Sequence, residues 1–567
     1  MASAAIALAL AAGNALAENE SKESNEKKNM NRVGHTDLQG RPTYQPNVIQ
    51  YPDGRYIAFV GQHSGNPVPV AGFQFLPNPL KNNADENNGS MIIDVTDPKH
   101  PVEKALIPAP FAGTSVGQSQ MVRMCLGSTL PNGVSGKVYL MRNVQGGPAA
   151  TQGYEVWDVT DVSSPVKVSA YYGIRSTHKL WWECNTGVAY LVGSKNPAIF
   201  AGTPNWRQTQ SMVIVDWANP EAPPIHLRTF GLPGGQPGST GATVPSLHGP
   251  ISAHEHPNAA GFVARPRLLS PGGAPNPDDI IGNRIYVAWG VGDDGVMQIL
   301  DRKKLLPALS NGRGGTWIPE VPVTSVDNPT VTELLDPQVG ILYMSPDQGG
   351  HTAFPVFGLK PPSIQKFNEF ATRDIVLLAS EATADGQLDA NGVRRCNEAP
   401  HWSFIVDVTV ENSKTAPPGT KTQQNVWQGP MVLSTMSVDE RAGEKFKRGN
   451  YCGRGARFGV HSSEENFNNP YYGKLTAIAY FNGGVRIWDI REPQAPFEVA
   501  FYVPFANDNT DPDGYMTNNV EIDDRGYIYI VDRNGAGFDI LELTGCAKDV
   551  DGGKSCKDLD NDNAPPK

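Results

Sequence analysis

No stretch of this chain is rich in lysine and arginine, and charged residues make up only 19% of its 567 positions, against a usual quarter. The formal net charge is −11. Polyanions and anionic membrane surfaces are held by a positive field, so the sequence argues against nucleic acid and the lipid surface as partners. No apolar run is long enough to span a bilayer, which leaves no transmembrane segment. Neither C-x-x-C nor C-x-x-C-H occurs, which excludes a thioredoxin-like centre and c-type haem. Walker A and H-E-x-x-H are also missing. P-loop nucleotide and zincin readings lose their cheapest support with them.

What the chain does have is 59 Gly, 48 Pro and 39% hydrophobic residues. That composition is too apolar for disorder and too rich in turn formers for a helical bundle; it suits many short strands. Residues 2–17 read ASAAIALALAAGNALA, which matches the apolar core and A-x-A site of a secretory signal peptide without the usual basic start. The sequence therefore predicts a signal peptide over 1–17, a polar disordered leader over 18–34, and a periplasmic or secreted protein. Six cysteines fit an oxidising compartment. Cys546 is expected to pair with Cys556, Cys125 with Cys184, and Cys396 with Cys452.

One pattern recurs: a small residue, alternating apolar residues, then an acid. It reads Ser90-Met-Ile-Ile-Asp94, Gly153-Tyr-Glu-Val-Trp-Asp158, Ser211-Met-Val-Ile-Val-Asp216 and Gly295-Val-Met-Gln-Ile-Leu-Asp301. Trp402-Ser-Phe-Ile-Val-Asp407, Gly484-Val-Arg-Ile-Trp-Asp489 and Gly537-Phe-Asp-Ile-Leu-Glu542 complete the series. Each copy has the period of a strand and runs into a turn where the acid can accept backbone N–H groups. Another apolar strand usually precedes each copy, such as Lys137-Val-Tyr-Leu-Met141, and one usually follows, such as Val166-Lys-Val-Ser-Ala170. The repeat predicts an all-β fold, a seven-bladed β-propeller over 35–545 with an acidic tail over 546–567. A β-sandwich array is the competing fold. The stretch from His35 to Tyr44 is placed to complete the last blade.

The strands ending at Asp94 and Asp216, each running into an Asp/Asn-Pro turn, resemble those of LVIVD-repeat proteins, a family of exported bacterial β-propellers. The resemblance covers about 40–545 and weakens in the fourth and fifth repeats. It implies the fold and an export route, not a reaction.

In a propeller the first strand of each blade lines the central channel. Histidines recur there in four consecutive repeats: His178, His248 or His254, His351 and His461. Imidazoles converging on an axis would make a site for Fe, Cu, Mn or Zn. Four-His axial iron is also the plan of carotenoid-cleaving oxygenase propellers, an analogy of architecture only. Polar inner-strand residues also hydrogen-bond one another around channel water, with no metal involved. Glu464 and Glu255 are candidate general bases beside that centre. Glu465 and Glu521 lie close by; all of these acids could instead orient histidine rings or sit solvated in loops. Trp181 and Trp182 point to opposite strand faces and read as packing between blades. Arg123, Arg175 and Arg457 could bind an anionic substrate or form surface ion pairs. Long inserts at 258–281, 355–373 and 381–400 suggest a lid over the channel mouth. Asp549-Val-Asp-Gly lacks the glycine and glutamate of an EF-hand and reads as tail.

Two functions follow. One is a periplasmic metalloenzyme, an oxidoreductase or a hydrolase or lyase, acting on a small-molecule substrate. The other is a non-catalytic binding or scaffold propeller with a wet structural channel and a protein partner.

Overall fold

A computed structural model of the chain describes residues 26–63, 75–110, 119–264, 278–290, 294–315, 324–367, 371–381, 401–411, 429–446, 448–454, 457–505, 514–552 and 556. The expected signal peptide lies outside these residues.

The strands fall into consecutive antiparallel groups. Thr43–Gln50, Tyr56–Gln62, Gly89–Asp94 and Val102–Pro108 form the first sheet, and Val122–Leu126, Val138–Val144, Gly153–Asp158 and Val166–Tyr172 the second. The third contains Leu180–Trp182, Val188–Lys195, Ser211–Asp216 and Ile225–Phe230, with Ile174–Arg175 beside Val188–Lys195. The fourth runs Leu247–Ser252, Arg284–Trp289, Val296–Asp301, Gln338–Tyr343, and the fifth Thr352–Leu359, Arg373–Ala379, Ser403–Asp407, Met431–Met436. Two further groups, Phe458–Ser463, Leu475–Phe481, Val485–Asp489, Phe497–Tyr502 and then Thr517–Ile522, Ile528–Asp532, Phe538–Leu543, are joined by one bridge between Phe481 and Thr517.

The first strands touch in a closed cycle. Thr43–Gln50 meets Val122–Leu126, which meets Leu180–Trp182, then Leu247–Ser252, Thr352–Leu359, Phe458–Ser463 and Thr517–Ile522, which returns to Thr43–Gln50. This is the ring of a β-propeller, and it places the first strands innermost. The second strands are buried end to end, as in Val138–Val144 and Val188–Lys195, because each sheet is covered on both faces by its neighbours. Trp182, Leu191 and Val213 of the third sheet pack with Tyr139 and Met141 of the second. Ala58, Val60 and Met91 of the first sheet pack with Tyr529, Val531 and Phe538, which closes the ring hydrophobically. The scarcity of charge fits sheets covered on both faces by their neighbours.

The acids that end the repeats work as turn acceptors. Asp94, Asp158, Asp216, Asp407 and Asp489 each accept the backbone N–H two residues on, at 2.9–3.1 Å.

Three expectations are corrected. The second half of the proposed disordered leader is ordered: Met30–Thr36 pairs with Phe538–Leu543, and Lys27–Lys28 pairs with Tyr502 and Phe501. The segment expected to close the ring at His35 to Tyr44 is therefore displaced towards the N-terminus, and Tyr44 belongs to the first inner strand. The reason is edge protection: without Met30–Thr36 the last sheet would expose an open edge. Glu26 anchors the extension with buried ion pairs to Arg448 and Arg454.

The 355–373 insert is not a free lid. Its start belongs to Thr352–Leu359, which is followed by the short helix Pro362–Gln365. The described ends of 258–281 are also tied down: Ala264 N–H donates to Asp374 and Arg284 pairs with Asp279. The remainder, 265–277 and 382–400, lies outside the described residues. The tail is packed as far as it is described, with Ala547, Val550 and Cys556 buried against the sixth and last sheets.

Disulfides join Cys125 to Cys184 and Cys546 to Cys556. Cys452 is also disulfide-bonded, and Cys396, its expected partner, lies outside the described residues.

Candidate metal centre on the propeller axis

The inner strands are irregular where they reach the axis. The ladder shifts register between Thr43 and Pro46, between Leu247 and Gly249, between Phe458 and Ser462, and between Thr517 and Val520. The third sheet's first strand is interrupted between Arg175 and Leu180. Tyr44, His248, His461, Asn518 and His178 sit at these irregularities. A bulge re-aims a side chain that the regular alternation would send into a sheet face. These bulges turn the polar residues inwards.

Four imidazoles meet on the axis, the fourth, His351, from the regular start of Thr352–Leu359. Ring centroids are 4.4 Å apart for His178 and His248, 3.6 Å for His248 and His351, and 4.3 Å for His351 and His461. His248, His351 and His461 are 2% exposed or less; His178 alone keeps some exposure. Gly249 permits the close approach: a Cβ there would lie 2.8 Å from Lys179 Cδ and 3.2 Å from the His351 carbonyl oxygen.

The hydrogen bonds fix the tautomers. His178 Nδ1 lies 2.9 Å from Gln120 Oε1, His248 Nδ1 3.1 Å from the His351 carbonyl, and His461 Nδ1 2.5 Å from the Asn518 carbonyl. Each partner is an acceptor, so each Nδ1 carries the proton and each Nε2 holds a lone pair. Those lone pairs converge. His178 Nε2 and His248 Nε2 are 2.8 Å apart, and the Tyr44 hydroxyl lies 3.3 Å from His178 Nε2 and 3.2 Å from His461 Nε2. Tyr44 has one proton for two acceptors. Neither ring nitrogen of His351 makes a hydrogen bond.

Glu381 supplies the negative charge, 3.4 Å from His351 Nε2 and 3.7 Å from His461 Nε2. Arg457 and Arg533 flank it at 3.2 and 3.8 Å. His63 stacks on Tyr44 and lies 3.0 Å from Arg533 Nη2. Burial, with Arg533 and Lys179 adding to it, pushes His178 down to about 3. Burial also drives His248, His351 and His461 well below the usual imidazole value. All four are neutral at pH 7, the form that binds a metal. The ligand atoms of His248, His351 and Glu381 lie within 4.8 Å of one another, so this group could hold a metal ion. The donor set fits one: buried lone pairs outnumber the protons offered to them, and a carboxylate stands by.

Of the expected residues, the structure brings His178, His248, His351 and His461 together. His254 is not with them; it sits in the turn Ala253–Glu255, with Nδ1 3.0 Å from the Gly282 carbonyl. The bulge at His248 decides between the two. The proposed bases Glu255 and Glu464 do not join the histidines either. Glu255 lines a separate cavity and receives the Cys184 N–H; Glu464 is held by Asn466 N–H and Asn469 Nδ2. Burial raises them to about 7 and about 8. Trp181 and Trp182 pack in different core clusters, as expected. Arg457 reaches Glu381, Arg123 reaches Glu465, and the Arg175 guanidinium donates to Asn205. Tyr44, Gln120 and Glu381 were missed. Tyr44 lies on an inner strand and Gln120 just ahead of one, but as single residues without a repeat they carry no signal; Glu381 follows the fifth sheet's second strand, where an inward position is not expected.

The fold and centre together define a β-propeller with a His-rich axial site. No protein-family model matches the chain, and no curated protein matches it. Solved structures similar to it include the Dos1 propeller, at 10% identity and TM-score 0.37 over 91% of this chain and 96% of that one. Hydrazine synthase of Kuenenia stuttgartiensis matches at 11% identity and TM-score 0.39, over 89% and 96%. A chain of a mitotic checkpoint complex matches at 8% and 0.36, over 91% and 94%. At these values nothing about activity passes from them to this chain. Among the described residues no helix is long and apolar enough to cross a membrane. Two disulfides are consistent with an extracellular or periplasmic protein.

Proposed function

We propose that this chain is an exported seven-bladed propeller that holds one transition-metal ion on its axis and uses it on a small molecule. The count of seven treats the two groups bridged at Phe481–Thr517 as separate blades, and the cycle of first strands supports it. Kinship with LVIVD-repeat proteins rests on the strands Gly89–Asp94 and Ser211–Asp216 with their Asx turns.

The observation that carries the metal reading is the pair of Nε2 lone pairs facing each other at 2.8 Å, each imidazole locked by an Nδ1 bond. Two such lone pairs repel unless a cation lies between them. A proton is a poor cation here, because burial and Lys179 already hold both rings neutral. A metal ion satisfies several lone pairs at once, and Glu381 offsets its charge. His178, His248, His351 and His461 would be its ligands, with the Nδ1 acceptors of His178, His248 and His461 orienting those rings. An imidazole-rich set suits Cu, Zn or Fe over Mn. The ion would supply Lewis acidity or redox capacity; Tyr44 would present a hydroxyl proton to whatever binds beside it.

Elemental analysis of the purified protein tests this. About one equivalent of Fe, Cu or Zn is expected, lost in the double variant His351→Ala, His461→Ala. A natively folded protein that takes up no transition metal even when offered each in turn sinks the reading.

A further inference from the structure

Lys179 separates the histidines from a second site. Its ammonium pairs with Glu465, and its aliphatic stem fills the space beside Gly249. Beyond Glu465 lies a cavity of about 180 Å³, lined in part by Arg123, Trp181, Glu255, Glu465, Asn468 and Glu521. At roughly 30 Å³ per water this is the room of about six waters. It suits a molecule of a few heavy atoms.

The walls of this cavity carry unmet polar groups of both kinds. Glu465 is 5% exposed, and its Oε2 has no hydrogen-bond partner; the nearest cation, Arg123 Nη2, is 3.6 Å away. Arg123 lays its guanidinium over the Trp181 ring, 3.5 Å from the centroid, and its Nε also lacks a partner. Trp181, 1% exposed, turns its Nε1–H towards Glu255. Glu255 accepts the Cys184 N–H and faces the Trp181 Nε1–H, and Glu521 accepts from Asn47 Nδ2. Burying an acceptor and a donor without partners is costly, so the site is built for something that supplies both.

We propose that this cavity binds a small molecule carrying a cationic amine beside an oxygen acceptor, the chemistry of a free amino acid or an amino alcohol. The amine donates to Glu465 Oε2, where Glu255 can give up its proton in favour of the bound cation. The oxygen accepts from Arg123 Nε–H. A lone cation would leave the Arg123 donor unfilled, and a lone anion would meet three carboxyl groups. The site is independent of the axial metal.

Calorimetric titration of the full-length protein with glycine and 2-aminoethanol tests the proposal, with methylammonium and acetate as single-function controls. At least one of the two-function ligands should bind tenfold or more tightly than both controls. Asn468→Trp places a bulky side chain at the exposed rim without touching the core, and should abolish that binding. Glu255→Gln, which keeps the acceptor for Cys184 N–H, should weaken it tenfold or more. Metal content and near-UV circular dichroism should be unchanged in both variants. The proposal is overturned if neither two-function ligand binds, if a control binds equally well, or if Asn468→Trp binds like the natural protein.

Discussion

Replacing Gln120 with leucine removes a single acceptor and leaves the volume nearly unchanged. Gln120 is buried, at 5% exposed, and its Oε1 accepts the His178 Nδ1 proton at 2.9 Å. Without that acceptor two costs fall on the metal centre. The Nδ1–H is left unpaired in a buried place, and the ring can adopt the other tautomer, which turns an N–H towards His248 Nε2, 2.8 Å away. Loss of such an orienting partner typically weakens metal binding 10- to 100-fold, or about 1.4–2.7 kcal/mol. Gln120→Glu keeps an acceptor and should retain or exceed the natural affinity. Competition against a chromophoric chelator measures both constants, with thermal melts of the metal-free proteins as the check on folding. If Gln120→Leu binds metal within twofold of the natural protein while His178→Ala does not, the tautomer argument fails. If neither matters, His178 is not a ligand.

Stability of the metal-free protein should be greatest between about pH 5 and 7. Burial raises Glu464 to about 8 and Glu255 and Asp532 to about 7. The folded state therefore holds these protons more tightly than the unfolded chain, and that stabilisation is lost as pH rises through 7–8. Burial lowers His226 and His256 to about 4, so their contribution is lost as pH falls from the ordinary imidazole range towards that value. Tm measured from pH 4 to 9 should be dome-shaped, with Glu464→Gln flattening its alkaline limb; a Tm that climbs from pH 6 to 9 contradicts this. Replacing Cys125 and Cys184 by alanine opens a loop of sequence separation 59, and chain entropy sets the loss at about 4 kcal/mol, which denaturant melts would read. A chain beginning at Asp37 lacks Met30–Thr36 and bares the edge of Phe538–Leu543. It should melt lower and self-associate on light scattering, whereas a monomeric, fully stable product would contradict a closing role for that strand.

The repeat was legible because it is local. A period-two apolar run ending in an acid is set by strand pleat and Asx-turn chemistry, and the strands around Asp94, Asp158, Asp216 and Asp489 lie where the pattern puts them. Three of the four axial histidines followed from their place ahead of those strands. The fourth position did not: His248 and His254 are six residues apart, and only the bulge between Leu247 and Gly249 turns one inwards and leaves the other in a turn. A bulge is a response to packing against neighbouring strands, and no pattern along one strand encodes it. Glu381, Tyr44 and Gln120 also reach the centre, each from a different sheet.

The acids show the other limit. Glu255 and Glu464 stand beside histidines in the chain yet face elsewhere, because strand and turn geometry separates sequence neighbours as readily as it joins distant ones. The polar N-terminal extension looks disordered from its composition alone. It becomes ordered because the last sheet lacks an outer strand and Arg448 and Arg454 wait for Glu26. By itself, then, the sequence determined the strands, their turns and the disulfide-forming character of the chain. The closure of the ring, the convergence of lone pairs on its axis and the separate acid-lined cavity were decided by tertiary contacts between residues hundreds of positions apart.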